Sequence, residues 1–206
     1  MPEYYQSFVT EKSFQLLKQL QADYDFILIA DWAVFGYTHA LKSKDIDIIV
    51  DFEELNKLKK AYQVNKNERL KKYEINFGEA DLDIYLPFYS QFCLPVEFIQ
   101  ANLNSIEGFK APRLEVLLIL KQQAYQGRRG SAKGEKDKLD ILSLVSRQEF
   151  DFVFYRKALQ THQLSDYQKS LISLLKETQS AEPLGLNVYQ FSRLKKGIIN
   201  QLEDEE

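Results

Sequence analysis

At 206 residues, 45% of them apolar, the chain is long enough to bury a sizeable core in one or two domains. A net charge of −3 rules out general electrostatic affinity for nucleic acid and leaves only local patches for that role. A single cysteine, Cys93, excludes an intrachain disulfide framework, and no apolar run approaches the roughly 18 residues of a bilayer-spanning helix.

The start, Met1-Pro2-Glu3-Tyr4-Tyr5, lacks the basic and apolar regions of a signal peptide, so a cytoplasmic protein that spans no membrane is expected. Phe14, Leu16, Leu17 and Leu20 predict a first helix over about 10–22. The apolar run Phe26-Ile27-Leu28-Ile29-Ala30 has the length of a buried central strand. Asp31 is then placed to N-cap a helix through Trp32, Ala33, Val34 and Tyr37. An acidic strand over 44–50 follows, then a surface helix over 52–62. Two further strands, 72–77 and 79–86, read as a hairpin turning at Gly78 and stopped by Pro87. Residues 96–99 and 105–110 read as short strands or loops, and Pro112 suits the first position of a helix. Helical periodicity then dominates, over about 134–147, 149–161, 165–178 and 188–202, with Asn187 as a cap and a solvated tail from Glu203. This divides the chain into an α/β part, 1–111, with a mixed sheet flanked by helices, and an all-helical part, 112–206.

Two of these strands carry the chemistry. Lys44-Asp45-Ile46-Asp47-Ile48-Ile49-Val50 and Ala80-Asp81-Leu82-Asp83-Ile84-Tyr85-Leu86 each hold two aspartates at alternate positions. Residues i and i+2 of a strand share a face, roughly 7 Å apart. If the two strands are neighbours, up to four carboxylates converge, and these resist ionisation unless a cation sits among them. A divalent metal site for phosphate chemistry is the economical reading, because Mg²⁺ takes a few carboxylates plus substrate phosphates.

Residues 26–37 (FILIADWAVFGY), 43–50 (SKDIDIIV), 80–86, and the segments 112–121 and 136–142 come in an order that resembles the nucleotidyltransferase superfamily. The family includes DNA polymerase β and the kanamycin-type and minimal nucleotidyltransferases. The resemblance covers roughly residues 10–147. It implies two Mg²⁺ or Mn²⁺ ions held by Asp45 and Asp47, one on the triphosphate and one on the acceptor hydroxyl, with Asp83 as third carboxylate completing the site and Asp81 as its alternative on the same face. It also implies nucleoside monophosphate transfer from a nucleoside triphosphate to a hydroxyl of a small molecule, a protein or an RNA. Ser43 and Lys44 are placed to meet the phosphates. The family has Gly-Gly or Gly-Ser after the first strand, where small residues let backbone amides reach the triphosphate. Here Ala30-Asp31 stand there, so that either Asp31 turns away as a cap or nucleotide binding is altered. The second outcome implies a binding or regulatory module, such as a partner subunit of the toxin–antitoxin type; a homodimer is a further possibility. A two-metal nuclease would use the same acids with water as nucleophile.

Residues 121–138 hold six basic side chains against two acidic ones, a net charge of +4, with Gly127, Gly130 and Gly134 expected to keep the middle flexible. Lys121 and Lys136 are the candidates there for phosphate contact, in place of an ordinary exposed loop. The GxxxxGK[ST] spacing of a Walker loop is absent. His39 and His162 lie far apart without a neighbouring ligand motif and read as structural or surface residues, and Trp32 reads as core.

Overall fold

The computed structural model describes residues 3–204, with side chains from residue 8 onward. Two compact units divide after Arg113. The first holds α1 (Glu3–Asp23), β1 (Ile27–Ile29), α2 (Ala30–Thr38), β2 (Ile46–Ile49), α3 (Phe52–Ala61), β3 (Asn65–Asn67), β4 (Lys72–Asn76), β5 (Asp81–Tyr85), α4 (Val96–Ala101), β6 (Leu103–Ile106) and β7 (Phe109–Pro112). Its seven strands form one sheet in the order β3-β4-β5-β2-β1-β7-β6. The pairs β2/β5 and β1/β7 are parallel and the rest antiparallel, which is the mixed α/β sheet expected.

The alternation in the two acidic strands is borne out by burial. Ile46, Ile48, Leu82 and Ile84 are all 1% exposed or less, whereas Asp47, Asp81, Asp83 and Tyr85 are only partly covered. α3 follows β2 at once because Asp51 caps it, its carboxylate accepting the Glu54 amide at 2.8 Å. Acidic Glu53 and Glu54 open this helix and basic Lys59 and Lys60 close it, matching its dipole. Trp32 is a core residue: its indole N–H donates to Ser13 Oγ at 3.0 Å and its ring stacks on Phe14.

Three local expectations fail, and one strand stands where the sequence predicts none. Asp31 does not cap α2; the helix starts at Ala30, with Ile29 at the cap and Asp31 in the first turn. Residues 96–101 form α4, because the Pro95 carbonyl accepts the Phe98 and Ile99 amides and starts a helical turn. Pro112 ends β7, opposite Leu103, where the missing amide interrupts nothing beyond the strand end. The polar β3 at the sheet edge carries no apolar alternation to betray it.

The second unit holds α5 (Leu114–Arg128), α6 (Ala132–Val145), α7 (Phe152–Thr161), α8 (Ser165–Glu177), a 3₁₀ turn at Glu182–Leu184 and α9 (Val188–Glu203). Asn187 caps α9 reciprocally with Gln190, as its position implied. A buried chain of hydrogen bonds ties three helices, with Tyr155 donating to Gln122 Oε1 and Gln122 Nε2 to the Tyr167 carbonyl, both at 2.8 Å. The expected flexible glycine loop is short. Gly127 lies within α5 and Gly134 within α6, leaving Gly130 at φ 81° to make the turn. Glu203 belongs to α9 and Asp204 caps it, while Glu205 and Glu206, like Met1 and Pro2, lie outside the described residues. No helix among the described residues is long and apolar enough to cross a membrane.

Candidate active site on the acidic strands

Register brings the acids together. β2 and β5 run side by side with Asp47 directly opposite Asp83, and on the next strand Glu74 lies opposite Asp83. Directly paired residues share a face and adjacent strands are roughly 4.8 Å apart, so Asp47, Asp83 and Glu74 form one row of carboxylates across three strands. Asp45 stands just before β2, close enough for its charge to act on Asp83. Asp81 lies two residues earlier on β5 and is engaged by Asn76, whose amide donates to it at 2.6 Å. Of the two alternatives for the third carboxylate, Asp83 is the one in line with Asp47.

A lysine sits inside this row. Lys72 Nζ is 2.6 Å from Asp83 Oδ2 and 2.9 Å from Glu74 Oε1, with its side chain 12% exposed and that of Asp83 18%. Burial pushes the Asp83 carboxyl above its ordinary range; Lys72 opposes this, while the charges of Glu74 and Asp45 add to it. The hydrogen bond from Lys72 holds Glu74 below its ordinary range. Burial alone would lower the Lys72 pKa, yet the bonds to Asp83 and Glu74 outweigh it and the ammonium is held more firmly. The three groups are thus one coupled ion cluster, with a single cation shared between two carboxylates. Asp47 accepts a hydrogen bond from the Tyr85 hydroxyl at 3.3 Å, so Tyr85 joins the carboxylate row.

Sequence reasoning missed Lys72 and Glu74, though a signal for both existed. In the segment 72–76 the polar positions 72, 74 and 76 alternate with Tyr73 and Ile75. Folding that segment back across the loop at Gly78 pairs Asn76 with Asp81 and Glu74 with Asp83.

The phosphate-contact candidates fare differently. Ser43 is buried and its hydroxyl donates to Asp31 Oδ2 at 3.2 Å. Lys44 is exposed, with Nζ 3.8 Å from Asp45 Oδ1. Ala30 has φ 53°, a left-handed conformation that glycine adopts without strain, at the position where the resembling family carries glycine. In the second unit, Lys121 is not presented to solvent. Its side chain is 3% exposed, with Nζ 2.7 Å from Asp140 Oδ2 and 3.3 Å from Asp137 Oδ1, because a buried ammonium demands counter-charge. Arg128 also holds Asp137, at 3.0 Å. Lys136 is half-buried on α6.

The donor set suits a divalent ion at Asp45 and Asp47. Asp45 Oδ1 is a buried carboxylate oxygen that accepts no hydrogen bond, and hard oxygen donors of this kind are what Mg²⁺ and Mn²⁺ take. Asp45, Asp47 and Asp83 do not bring one carboxylate oxygen each within 4.8 Å of one another, so the three do not form a closed cage.

No protein family model matches the chain, and no curated protein matches it in sequence. Solved structures do. JHP933 from Helicobacter pylori matches with a TM-score of 0.52 and 18% identity over 98% of this chain and 95% of that one. A candidate nucleotidyltransferase from H. pylori matches with a TM-score of 0.52 and 17% identity over the whole of both chains. The seven-stranded mixed sheet with its helical second unit is therefore a nucleotidyltransferase-like fold, as the order of the sequence segments implied.

Proposed function

We propose that the chain is a metal-dependent nucleotidyltransferase that moves a nucleoside monophosphate from a nucleoside triphosphate to a hydroxyl acceptor. The observation that carries this is the register of Asp47 against Asp83, with Asp45 beside them, in a nucleotidyltransferase-like fold. Asp45 and Asp47 would hold Mg²⁺ or Mn²⁺. When bound, the ion neutralises triphosphate charge and polarises the phosphoryl group.

The chain's own residues do the rest. Asp83, with its raised pKa, is suited to accept the proton of the attacking hydroxyl, because a more basic carboxylate is a better proton acceptor. Lys72 opposes the rise that burial imposes on that carboxyl and favours its ionised form. Lys44, exposed beside Asp45, is positioned to approach phosphate oxygens. The Tyr85 hydroxyl steadies Asp47. Incubation with labelled nucleoside triphosphates, Mg²⁺ and a panel of hydroxyl acceptors tests this. Pyrophosphate release should fall by on the order of 10²-fold or more in Asp45→Asn and Asp47→Asn. Release unaffected by either change would refute the assignment.

Asp31 favours a second reading, a binding or regulatory module on the same scaffold. Its carboxylate occupies the first turn of α2, where the positive end of the helix would otherwise attract phosphate, and it is hydrogen-bonded by Ser43. Calorimetry with a nucleoside triphosphate and Mg²⁺ separates the two, since a module that binds neither cannot be the enzyme.

A further inference from the structure

We infer that Lys72 is a built-in cation standing where a second divalent ion would otherwise bind Asp83, so that this site takes one metal ion, at Asp45 and Asp47. This rests on the metal-dependent reading above. The ammonium nitrogen is 2.6 Å from Asp83 Oδ2 and 2.9 Å from Glu74 Oε1, distances of direct charge-assisted hydrogen bonds. The pair is largely shielded from water, so its attraction is weakly screened and its geometry persists at ordinary ionic strength. A divalent ion on Asp83 would have to displace the ammonium or sit within a few ångströms of it, against like-charge repulsion in a poorly solvated place.

The contrast with Asp45 sharpens the point. Asp45 Oδ1 is buried and accepts no hydrogen bond, and Lys44 is 3.8 Å away on an exposed side chain that can swing clear. One carboxylate keeps an oxygen that accepts no hydrogen bond; the other is already neutralised. Lys72 also explains why the three aspartates do not draw together: Asp83 is anchored toward β4 by the lysine and by the shared counter-ion cluster with Glu74. Lys72 is thus a positioning residue that sets metal stoichiometry and leaves Asp83 available for proton transfer.

Counting bound Mn²⁺ by electron paramagnetic resonance, with a non-hydrolysable nucleoside triphosphate present, tests this without any activity assay. The unaltered protein should bind one ion per chain and Lys72→Met two, with folding checked by circular dichroism. Asp83→Asn should bind one ion with affinity within twofold of the unaltered protein, which decides the matter even if Lys72→Met does not fold. Two ions in the unaltered protein, one ion in a folded Lys72→Met, or a tenfold loss of Mn²⁺ affinity in Asp83→Asn overturns the inference while the metal-dependent reading stands. No ion in the unaltered protein overturns that reading and the inference with it.

Discussion

Asp83 carries a carboxyl that burial raises and Lys72 lowers, and burial wins. As proton acceptor it must be ionised, so kcat/KM should fall as pH drops through its raised pKa. Lys72→Met removes the lowering influence and should move that acid limb to higher pH; a limb that stays in place takes Asp83 out of this role. The stability linkage of the two acids runs in opposite directions. The raised Asp83 favours the folded state at low pH, and that contribution is lost as pH rises through its folded pKa. The lowered Glu74 contributes above its unfolded pKa and loses the contribution as pH falls through its folded one. Ala30 holds the left-handed backbone at φ 53°, which costs about 1–2 kcal/mol for an L residue. Ala30→Gly should therefore raise stability by about 1 kcal/mol in urea unfolding, after the entropy that glycine adds to the unfolded chain. An unchanged midpoint would mean the conformation is not strained.

Between elements, single contacts fix how helices meet their neighbours. Ser13 of α1 accepts the indole N–H of Trp32 in α2, both fully buried. Ser13→Ala leaves that donor unsatisfied and should destabilise by about 1–2 kcal/mol, read as a lower urea midpoint at constant slope. Gly134 lies in the first turn of α6, where an added Cβ would stand 2.2 Å from the Arg128 carbonyl oxygen. Gly134→Ala should destabilise by about 2 kcal/mol, because the clash with backbone outweighs the helix propensity that alanine brings. A stabilised variant would show that the α5–α6 turn yields easily.

For the whole molecule, binding that prefers the folded state shifts its unfolding. A nucleoside triphosphate with Mg²⁺ at a hundredfold excess over Kd should stabilise the protein by about 2.7 kcal/mol. A chelator or Asp45→Asn should remove that shift, and a melting temperature indifferent to nucleotide and metal would count against the proposed chemistry.

The acidic strands were legible in the sequence because strand periodicity is local: alternate residues face alike whatever the partner strand is. The capped helices α3 and α9 were legible for the same reason, since Asp51 and Asn187 act within one turn of their own backbone. The order of segments carried the fold through its resemblance to a known family. Only tertiary structure could decide that Asp83, and not Asp81, faces Asp47, or that Lys72 reaches Asp83 while Lys121 is consumed by Asp137 and Asp140. Charge balance depends on distances of a few ångströms between residues remote in the chain, and neither periodicity nor composition contains those distances.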